Sequence, residues 1–250
     1  MQLTILGCYG PYSSHGNACS GYLLRGLDNH SLMLDCGSGV LSQIPDEFPL
    51  DKLDGLILSH LHADHCADAL TLPHLLQFAE WNHGRDPLPL LLPDGPENLA
   101  SYFFGNSWYD AMAFDEYHEF VIKHWHIICM EARHPVPAYA VRIWHEAEPR
   151  FVFVYTGDTN THPPLVQLCM NADFLLADSA VLLSEWSEDS PHMSASHAGG
   201  LASFAKVKRL MLTHLRPLVD PKPYLVEAGK LFLNVEIARP RMFINMSTAR

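Results

Sequence analysis

The chain has 250 residues, of which 48% are hydrophobic, and it carries 16 basic against 28 acidic residues, for a formal net charge of −12. This composition supports a sizeable core, and the acidic balance argues against a protein that holds a long nucleic acid, because neutralising phosphates requires surplus Lys and Arg. No apolar run approaches the roughly 18–20 residues of a membrane span, no leader precedes the first strand, and six scattered cysteines form no disulfide framework. We therefore expect a cytoplasmic protein.

Strand-like runs alternate with helical stretches from one end of the chain to the other, without a Gly/Ser-rich or Pro-rich linker, which predicts one α/β domain over residues 1–250. The predicted strands cover 2–6, 20–25, 31–35, 55–59, 88–92, 127–133, 139–145, 151–156, 173–178 and 209–213. The predicted helices cover 66–81, 95–104, 161–170, 195–206 and 222–233. Residues 102–125 are dense in aromatic side chains, which favours core or dimer packing, with a lid or a base-stacking wall as the alternative.

The most informative segment reads Ser-His-Leu-His-Ala-Asp-His and follows the apolar run of the strand predicted at 55–59. It places four potential metal ligands within six residues: His60, His62, Asp64 and His65. Imidazole and carboxylate suit zinc, manganese or iron, and four such groups exceed what one tetrahedral ion needs. On extended backbone His60 and His62 point the same way, whereas Asp64 and His65 are predicted to fall in the turn before the next helix and to point towards a second ion. A histidine-rich loop without metal is the alternative.

Three further ligand-type residues stand at the ends of short apolar runs, namely His134, Asp158 and His214. Open α/β sheets place their chemistry at the carboxyl ends of strands, so we expect these side chains to meet the histidine-rich segment. The sequence thus predicts a centre built from seven ligand-type side chains.

This ordered set, His-x-His-x-Asp-His followed by His, Asp and His, resembles the metallo-β-lactamase superfamily, whose dinuclear hydrolases share it. The resemblance covers nearly the whole chain, from Leu3-Thr4-Ile5-Leu6-Gly7-Cys8 through Leu34-Asp35-Cys36-Gly37-Ser38-Gly39 to the strand end at His214. It implies a four-layer αββα sandwich, in which two sheets pack together between outer helices. Periodicity alone indicates only an α/β fold.

The resemblance assigns the seven side chains to two divalent ions, with Zn²⁺ favoured and Mn²⁺ as the alternative. By this resemblance, one ion is bound by His60, His62 and His134. The other is bound by Asp64, His65 and His214, and the Asp158 carboxylate bridges the two ions. Water between the ions would be the nucleophile, since coordination to metal lowers its pKa to about 7. Asp35 is expected to orient the histidine segment through hydrogen bonds, with a simple turn-starting residue as the alternative.

The segment Pro191-His192-Met193-Ser194 resembles the Gly-His-Ser-Ser-type segment of ribonuclease Z relatives, in which the histidine contacts the scissile phosphate, although proline replaces the usual glycine. His192 is therefore a predicted catalytic residue that protonates the leaving alkoxide or stabilises the pentacovalent state, with a structural histidine as the alternative. Asp64 is the other predicted catalytic residue, in addition to its place among the ligands. His15 and Ser38, in two glycine- and serine-rich loops, are further candidates for substrate contact.

His214 as the last ligand, the Thr-Gly-Asp-Thr segment around Asp158 and the His192 segment resemble the ribonuclease Z-like phosphodiesterase branch. Members that process transfer RNA carry a long arm between the third and fourth ligand motifs, and His134 and Asp158 lie too close in sequence for one here. The opening Leu-Gly-Cys-Tyr-Gly and the run 134–140 resemble the anti-Pycsar-type group, whose members are homodimers that cleave 3′,5′-cyclic nucleotides.

The predicted function is therefore hydrolysis of a small anionic phosphodiester, above all of 3′,5′-cyclic nucleotides to nucleoside monophosphates, by a homodimer. Four other hydrolase activities remain open: ribonuclease Z-like RNA processing, and cleavage of a cyclic sugar phosphodiester, a lactone or a sulfate ester. A non-catalytic metal-binding sensor is a further alternative, against which the complete ligand set argues.

Overall fold

Two seven-stranded sheets lie face to face in the computed structural model of the protein, which describes residues 1–78, 86–116 and 118–246. The chain forms the strands in the order β1 Gln2–Gly7, β2 Gly21–Arg25, β3 Ser31–Cys36, β4 Leu53–Ile57, β5 Leu88–Leu92, β6 Tyr109–Ala113, β7 Phe120–Ile122, β8 Trp125–Glu131, β9 Tyr139–His145, β10 Phe153–Tyr155, β11 Phe174–Asp178, β12 Arg209–Thr213, β13 Val235–Ile237 and β14 Phe243–Asn245. The first sheet has the order β14-β1-β2-β3-β4-β5-β6 and the second has the order β13-β12-β11-β10-β9-β8-β7.

Each sheet is half antiparallel and half parallel. In the first sheet β3 to β6 run parallel, and in the second sheet β10 to β13 do. The inner parallel strands are buried on both faces, as the fully buried β4 and β11 illustrate, which is why they read as continuous apolar runs in the sequence. Their carboxyl ends carry most of the predicted site residues.

Helices cover the outer faces of both sheets. They are α1 Ala63–Cys66, α2 Leu72–Phe78, α3 Glu97–Phe104, α4 Pro163–Cys169, α5 Ala195–Phe204 and α6 Lys222–Gly229. One hydrophobic cluster lies between the sheets, and separate clusters lie between each sheet and its helices. The predicted αββα sandwich is therefore confirmed.

All four edge strands of the two sheets, β6, β7, β13 and β14, escaped the sequence analysis. The last three of them have only three residues each, and an edge strand is hydrogen-bonded on one side and partly exposed. Such strands show no long apolar run and no sustained alternation. The predicted strand at 55–59 also ends two residues earlier, so the histidine-rich segment begins outside β4.

The prediction of one continuous helix over 66–81 is wrong. The chain forms α1 over Ala63–Cys66, a 3₁₀ turn over Ala67–Leu70 and then α2, while residues 79–81 lie outside the described residues. Pro73 explains the interruption, because it has no N–H to donate to the preceding turn. Asp64 and His65 consequently lie within α1 rather than in a turn before it.

The aromatic stretch 102–125 mainly supplies core. Phe103, Tyr109, Phe114 and Trp125 are buried, and the Trp125 indole donates a hydrogen bond to Asp54 Oδ2 at 3.0 Å. Between β6 and β7 the chain crosses from the first sheet to the second, so these rings pack on both sides of that crossing. Tyr117 lies outside the described residues.

Among the described helices, none combines the length and the apolar composition that crossing a bilayer requires. The single domain over residues 1–250 stays a prediction.

Candidate metal centre

The histidine-rich segment is held in place by the first sheet. Beyond the end of β4, the Ser59 N–H donates to Asp35 Oδ1 at 2.6 Å and the Ser59 hydroxyl donates to Asp35 Oδ2 at 2.8 Å. His62 has extended backbone and precedes α1, which carries Asp64 and His65 in its first turn. The side chains therefore leave the backbone in two directions.

Three histidine nitrogens converge in a first donor group. His62 Nδ1 lies 3.0 Å from His60 Nε2 and 3.2 Å from His134 Nε2. Burial lowers the pKa of all three rings, most strongly that of His60. Neutral imidazole is the form that binds metals, so the group could hold a metal ion.

Two carboxylates and two histidines form a second donor group, composed of Asp64, His65, Asp158 and His214. His214 Nε2 lies 3.2 Å from both Asp64 Oδ2 and Asp158 Oδ2. Asp158 Oδ2 also lies 3.7 Å from His60 Nε2 of the first group. One carboxylate therefore faces both groups.

The second group contains buried polar atoms that no protein atom satisfies. His65 Nε2 and Asp158 Oδ1 lie 3.3 Å apart, and neither has a hydrogen-bond partner among the described residues. The other nitrogen of the ring, Nδ1, donates to Asp35 Oδ2 at 2.7 Å, which leaves the Nε2 lone pair facing the group. Unpaired buried polar atoms are rare, and a metal ion would satisfy both, so the residues fit a metal site.

Electrostatics within the second group hold Asp158 in its charged form. Burial opposes ionisation, but His214 and His65 outweigh it and keep the pKa of Asp158 well below its usual range. In the same way, Asp158 and Asp35 raise the pKa of His65 well above its ordinary value against the effect of burial. The site concentrates negative charge that suits cations.

Asp35 connects the two sheets beneath the site. Its Oδ2 accepts hydrogen bonds from the His65 ring, the Ser59 hydroxyl and, at 2.6 Å, the Tyr155 hydroxyl of the second sheet. Asp35 is fully buried and has a positive φ of 52°, a conformation that is strained for a residue with a side chain. The residue that was expected to orient the histidine segment thus contacts it directly.

Sequence reasoning missed Asp178, the last residue of β11. Its Oδ2 accepts from His192 Nδ1 at 2.9 Å and from the Thr159 N–H at 3.0 Å, while Oδ1 lies 3.9 Å from His214 Nδ1. Burial of the His192 ring opposes protonation, but Asp178 outweighs it and raises the pKa of His192 to about 9. A carboxylate at the carboxyl end of the strand predicted at 173–178 was the available signal.

His192 lies beside both donor groups. Its ring centroid is 5.0 Å from that of His214 and 5.7 Å from that of His134. Two hydrogen bonds fix the backbone around it. His134 Nδ1 donates to the Pro191 carbonyl at 3.2 Å, and the Ser194 hydroxyl caps α5 by accepting from the His197 N–H. The Nε2 atom of His192 makes no hydrogen bond within the described part of the chain.

His15 and Ser38 are both exposed, and neither is a member of the donor groups. Ser38 follows Gly37, where a Cβ would stand 1.9 Å from the Asp64 carbonyl oxygen, so its loop packs against the backbone of the second group. The His15 carbonyl accepts a hydrogen bond from the Asn17 side chain at 3.4 Å. Contact of either residue with substrate stays a prediction.

A family model described as the beta-lactamase superfamily domain matches residues 30–215, which span both donor groups. The chain belongs to the β-lactamase superfamily. The probable metallo-hydrolase YhfI of Bacillus subtilis is 31% identical over 238 residues, covering 95% of this chain and 96% of that protein. The crystal structure of YhfI, a metallo-β-lactamase fold protein, matches with a TM-score of 0.86 over 98% of this chain and 99% of that chain.

Ribonuclease Z-like proteins are also among the superfamily relatives. The ribonuclease Z of Methanosarcina acetivorans is 23% identical over 301 aligned residues, covering 97% of each chain. The short form of human tRNase Z shares the fold, with a TM-score of 0.77 at 18% identity over 99% of this chain and 100% of that chain. The protein is thus a metallo-hydrolase of the β-lactamase fold with ribonuclease Z-like relatives, which confirms the resemblance to that superfamily, while the resemblance to the anti-Pycsar-type group stays a prediction.

Gly10 allows the second donor group of this superfamily member to form. A Cβ at Gly10 would stand 1.8 Å from His214 Nε2, so Gly10→Ala must displace the His214 ring. We expect Zn²⁺ affinity to fall about 10- to 100-fold, the loss usual when support of a ligand is removed, in a titration against a chelating indicator. Gly200→Ala in α5 is the control, since its nearest atom would be 3.7 Å away. Equal Zn²⁺ affinity of Gly10→Ala and wild type would contradict this account.

Proposed function

We propose that the protein is a dinuclear metal-dependent phosphodiesterase that hydrolyses 3′,5′-cyclic nucleotides to nucleoside monophosphates. One observation carries the proposal: Asp158 of the second donor group lies 3.7 Å from His60 Nε2 of the first, and an imidazole held by a buried carboxylate stands next to both groups. Such an arrangement serves reactions in which charge builds on phosphoryl oxygens while an oxygen leaving group departs.

In this proposal each donor group holds one ion. The first ion would be bound by His60, His62 and His134. The second ion would be bound by Asp64, His65 and His214, and the Asp158 carboxylate would be shared by both. The nitrogen-rich set favours Zn²⁺, with Mn²⁺ as the alternative. When bound, the ions would activate water and neutralise charge on the phosphoryl oxygens.

His192 is the proposed general acid. Its Nδ1 is engaged by Asp178, so its Nε2 is left to face a substrate lying over the donor groups. During in-line attack a new P–O bond forms to the water oxygen and one ester P–O bond breaks, and the Nε2 proton passes to the departing sugar oxygen. Asp178 positions the ring, and its charge stabilises the protonated form.

Asp64 is proposed as a ligand that also acts in catalysis. It is largely buried, and its Oδ2 lies 3.2 Å from His214 Nε2 and 3.5 Å from His65 Nε2. The proximity of these two rings outweighs burial and keeps the pKa of Asp64 well below its usual range. A permanently charged carboxylate here holds the two histidines towards the reacting centre.

Two features favour a small substrate over a transfer RNA. The net charge of −12 leaves no basic surplus to hold dozens of phosphates. Between His134 and Asp158 the chain forms only β9 and β10 with their connection, so no arm extends from this segment. The alignment with the Methanosarcina ribonuclease Z is longer than this chain, so that enzyme has residues that this one lacks.

The second candidate function is ribonuclease Z-like RNA processing, favoured by the similarity to the Methanosarcina enzyme. Hydrolysis of a cyclic sugar phosphodiester, a lactone or a sulfate ester could use the same donor groups. A non-catalytic sensor would use these groups only to bind metal. Homodimer formation and a cytoplasmic location are further parts of the proposal.

Metal content tests the dinuclear centre. We expect purified protein reconstituted with Zn²⁺ to contain close to two ions per chain by inductively coupled plasma mass spectrometry. Asp158→Ala should lose the most metal, because its carboxylate faces both donor groups. Asp110→Ala, an exposed change on β6, is the control. A firm wild-type value near zero after reconstitution would refute the metal centre.

The acid role of His192 is tested by comparing leaving groups. His192→Ala should retain its metal and lose about 10²- to 10⁴-fold in kcat on a 3′,5′-cyclic nucleotide, the contribution of a positioned acid. The loss should be smaller on bis-p-nitrophenyl phosphate, since p-nitrophenolate leaves without protonation. His118→Ala, at a largely exposed histidine, should match the wild type. Equal losses in kcat on both substrates would exclude proton donation by His192 and would leave it only the electrostatic stabilisation of the transition state.

A substrate panel tests the function itself. Metal-loaded protein is assayed on 3′,5′-cyclic nucleotides, bis-p-nitrophenyl phosphate, a lactone, a sulfate ester and a precursor transfer RNA, with Asp158→Ala as the control for contaminating activity. We expect the highest kcat/KM on a cyclic nucleotide, because it carries one negative charge and needs no extended basic surface. A higher kcat/KM on the precursor transfer RNA would replace the proposal with the second candidate.

A further inference from the structure

A cavity of about 800 Å³ lies on the outer face of the first sheet. Its floor is formed by residues of the three strands β1, β2 and β3, namely Thr4, Leu23, Arg25 and Ser31. Leu23 belongs to the cluster between this sheet and its helices, and Thr4 and Leu23 are cross-strand partners, as are Arg25 and Ser31. None of the metal-centre residues lines the cavity, so it is separate from the site described above.

The floor contains polar atoms without partners. Ser31 is fully buried, and its hydroxyl has no hydrogen-bond partner among the described residues. Arg25 Nε is likewise buried without a partner, and within the described ranges the Arg25 side chain makes no ion pair. Leaving such groups unsatisfied is costly, and these two are paired across β2 and β3, so both face the same space.

The walls combine apolar and polar side chains. Ile44, Phe48 and Phe243 line them, and Phe243 is 59% exposed although it is a large aromatic side chain. A second guanidinium, that of Arg241, stands at the wall, where its Nε donates to Gln43 Oε1 at 3.0 Å. Two acidic residues, Asp46 and Glu47, are exposed at the rim and form no ion pair with either arginine in the described chain.

We propose that this cavity binds a small organic anion, whose carboxylate or phosphate group meets Arg25 and Ser31 while its apolar part packs against Ile44, Phe48 and Phe243. A guanidinium presents paired N–H donors that match either acid group, and the Ser31 hydroxyl adds one more donor. The volume falls within the range of roughly 300–1,000 Å³ that small-molecule sites occupy. The proposal does not depend on the chemistry of the metal centre.

Methyl-detected NMR on the full-length, Zn²⁺-loaded protein tests this site. The probes are benzoate and phenyl phosphate, with benzamide as the neutral analogue. The methyl groups of Leu23 and Ile44 report on the cavity, and that of Leu61, between two ligand histidines, reports on the metal centre. We expect saturable shifts of Leu23 and Ile44 with an anion and none with benzamide. The tighter of the two anions identifies the acid group as carboxylate or phosphate.

Arg25→Gln should weaken anion binding about 10- to 100-fold, the loss expected for a charge-assisted hydrogen bond, while hydrolysis of bis-p-nitrophenyl phosphate stays at the wild-type rate. Arg150→Gln, an exposed arginine beyond β9, removes the same charge and should bind like the wild type. If Arg25→Gln does not fold, Arg241→Gln at the exposed wall takes its place, with a weaker affinity again expected.

Five results would overturn the proposal. Three of them concern binding: no saturable shifts of Leu23 and Ile44 with either anion, equal binding of benzamide, and equal affinity of Arg25→Gln and Arg150→Gln. A shift of Leu61 alone would place the anions at the metal centre. Shifts of Leu23 and Ile44 that follow the protein concentration rather than the probe concentration would indicate a contact between copies of the chain.

Discussion

The rest of the site depends on the buried carboxylate of Asp158. A charge taken out of water between two packed sheets is stable only where opposite charge or metal compensates it. Here the compensating groups arrive from both sheets: His60 and His65 from the segment after β4, and His214 from the end of β12. Asp158 therefore contacts side chains from both sheets, and the packing of one sheet on the other brings these groups together.

Two further buried carboxylates fix the rings that surround Asp158. Asp35 accepts a hydrogen bond from His65 Nδ1, and Asp178 accepts one from His192 Nδ1. In each ring the other nitrogen, Nε2, therefore faces the donor groups. This is the usual way in which proteins set the tautomer and direction of a ligand histidine. Asp35 and His214 both have positive φ values, so the backbone is strained at one orienting residue and one donor.

Three further features of this chain lie around the two donor groups. The connection between His134 and Asp158 is short, the net charge is −12, and the outer face of the first sheet opens into a cavity whose Arg25 side chain forms no ion pair with any described residue. The first two features bear on which phosphodiester can reach the donor groups. The cavity bears on a different ligand, because it lies on the other face of the sheet that carries the histidine segment.

The sequence by itself predicted the α/β class, the positions of the central strands along the chain and the seven ligand-type residues, and the family resemblance added the four layers. Strands buried on both faces must be continuous apolar runs, and ligand residues follow such runs directly, so both signals are local. Tertiary structure alone decided the four edge strands, the pairing of Asp178 with His192, and the meeting of Arg25 with Ser31 in the cavity. Those features depend on which strand ends and faces become neighbours, and a pattern read along one strand holds no information about the residue that stands across from it.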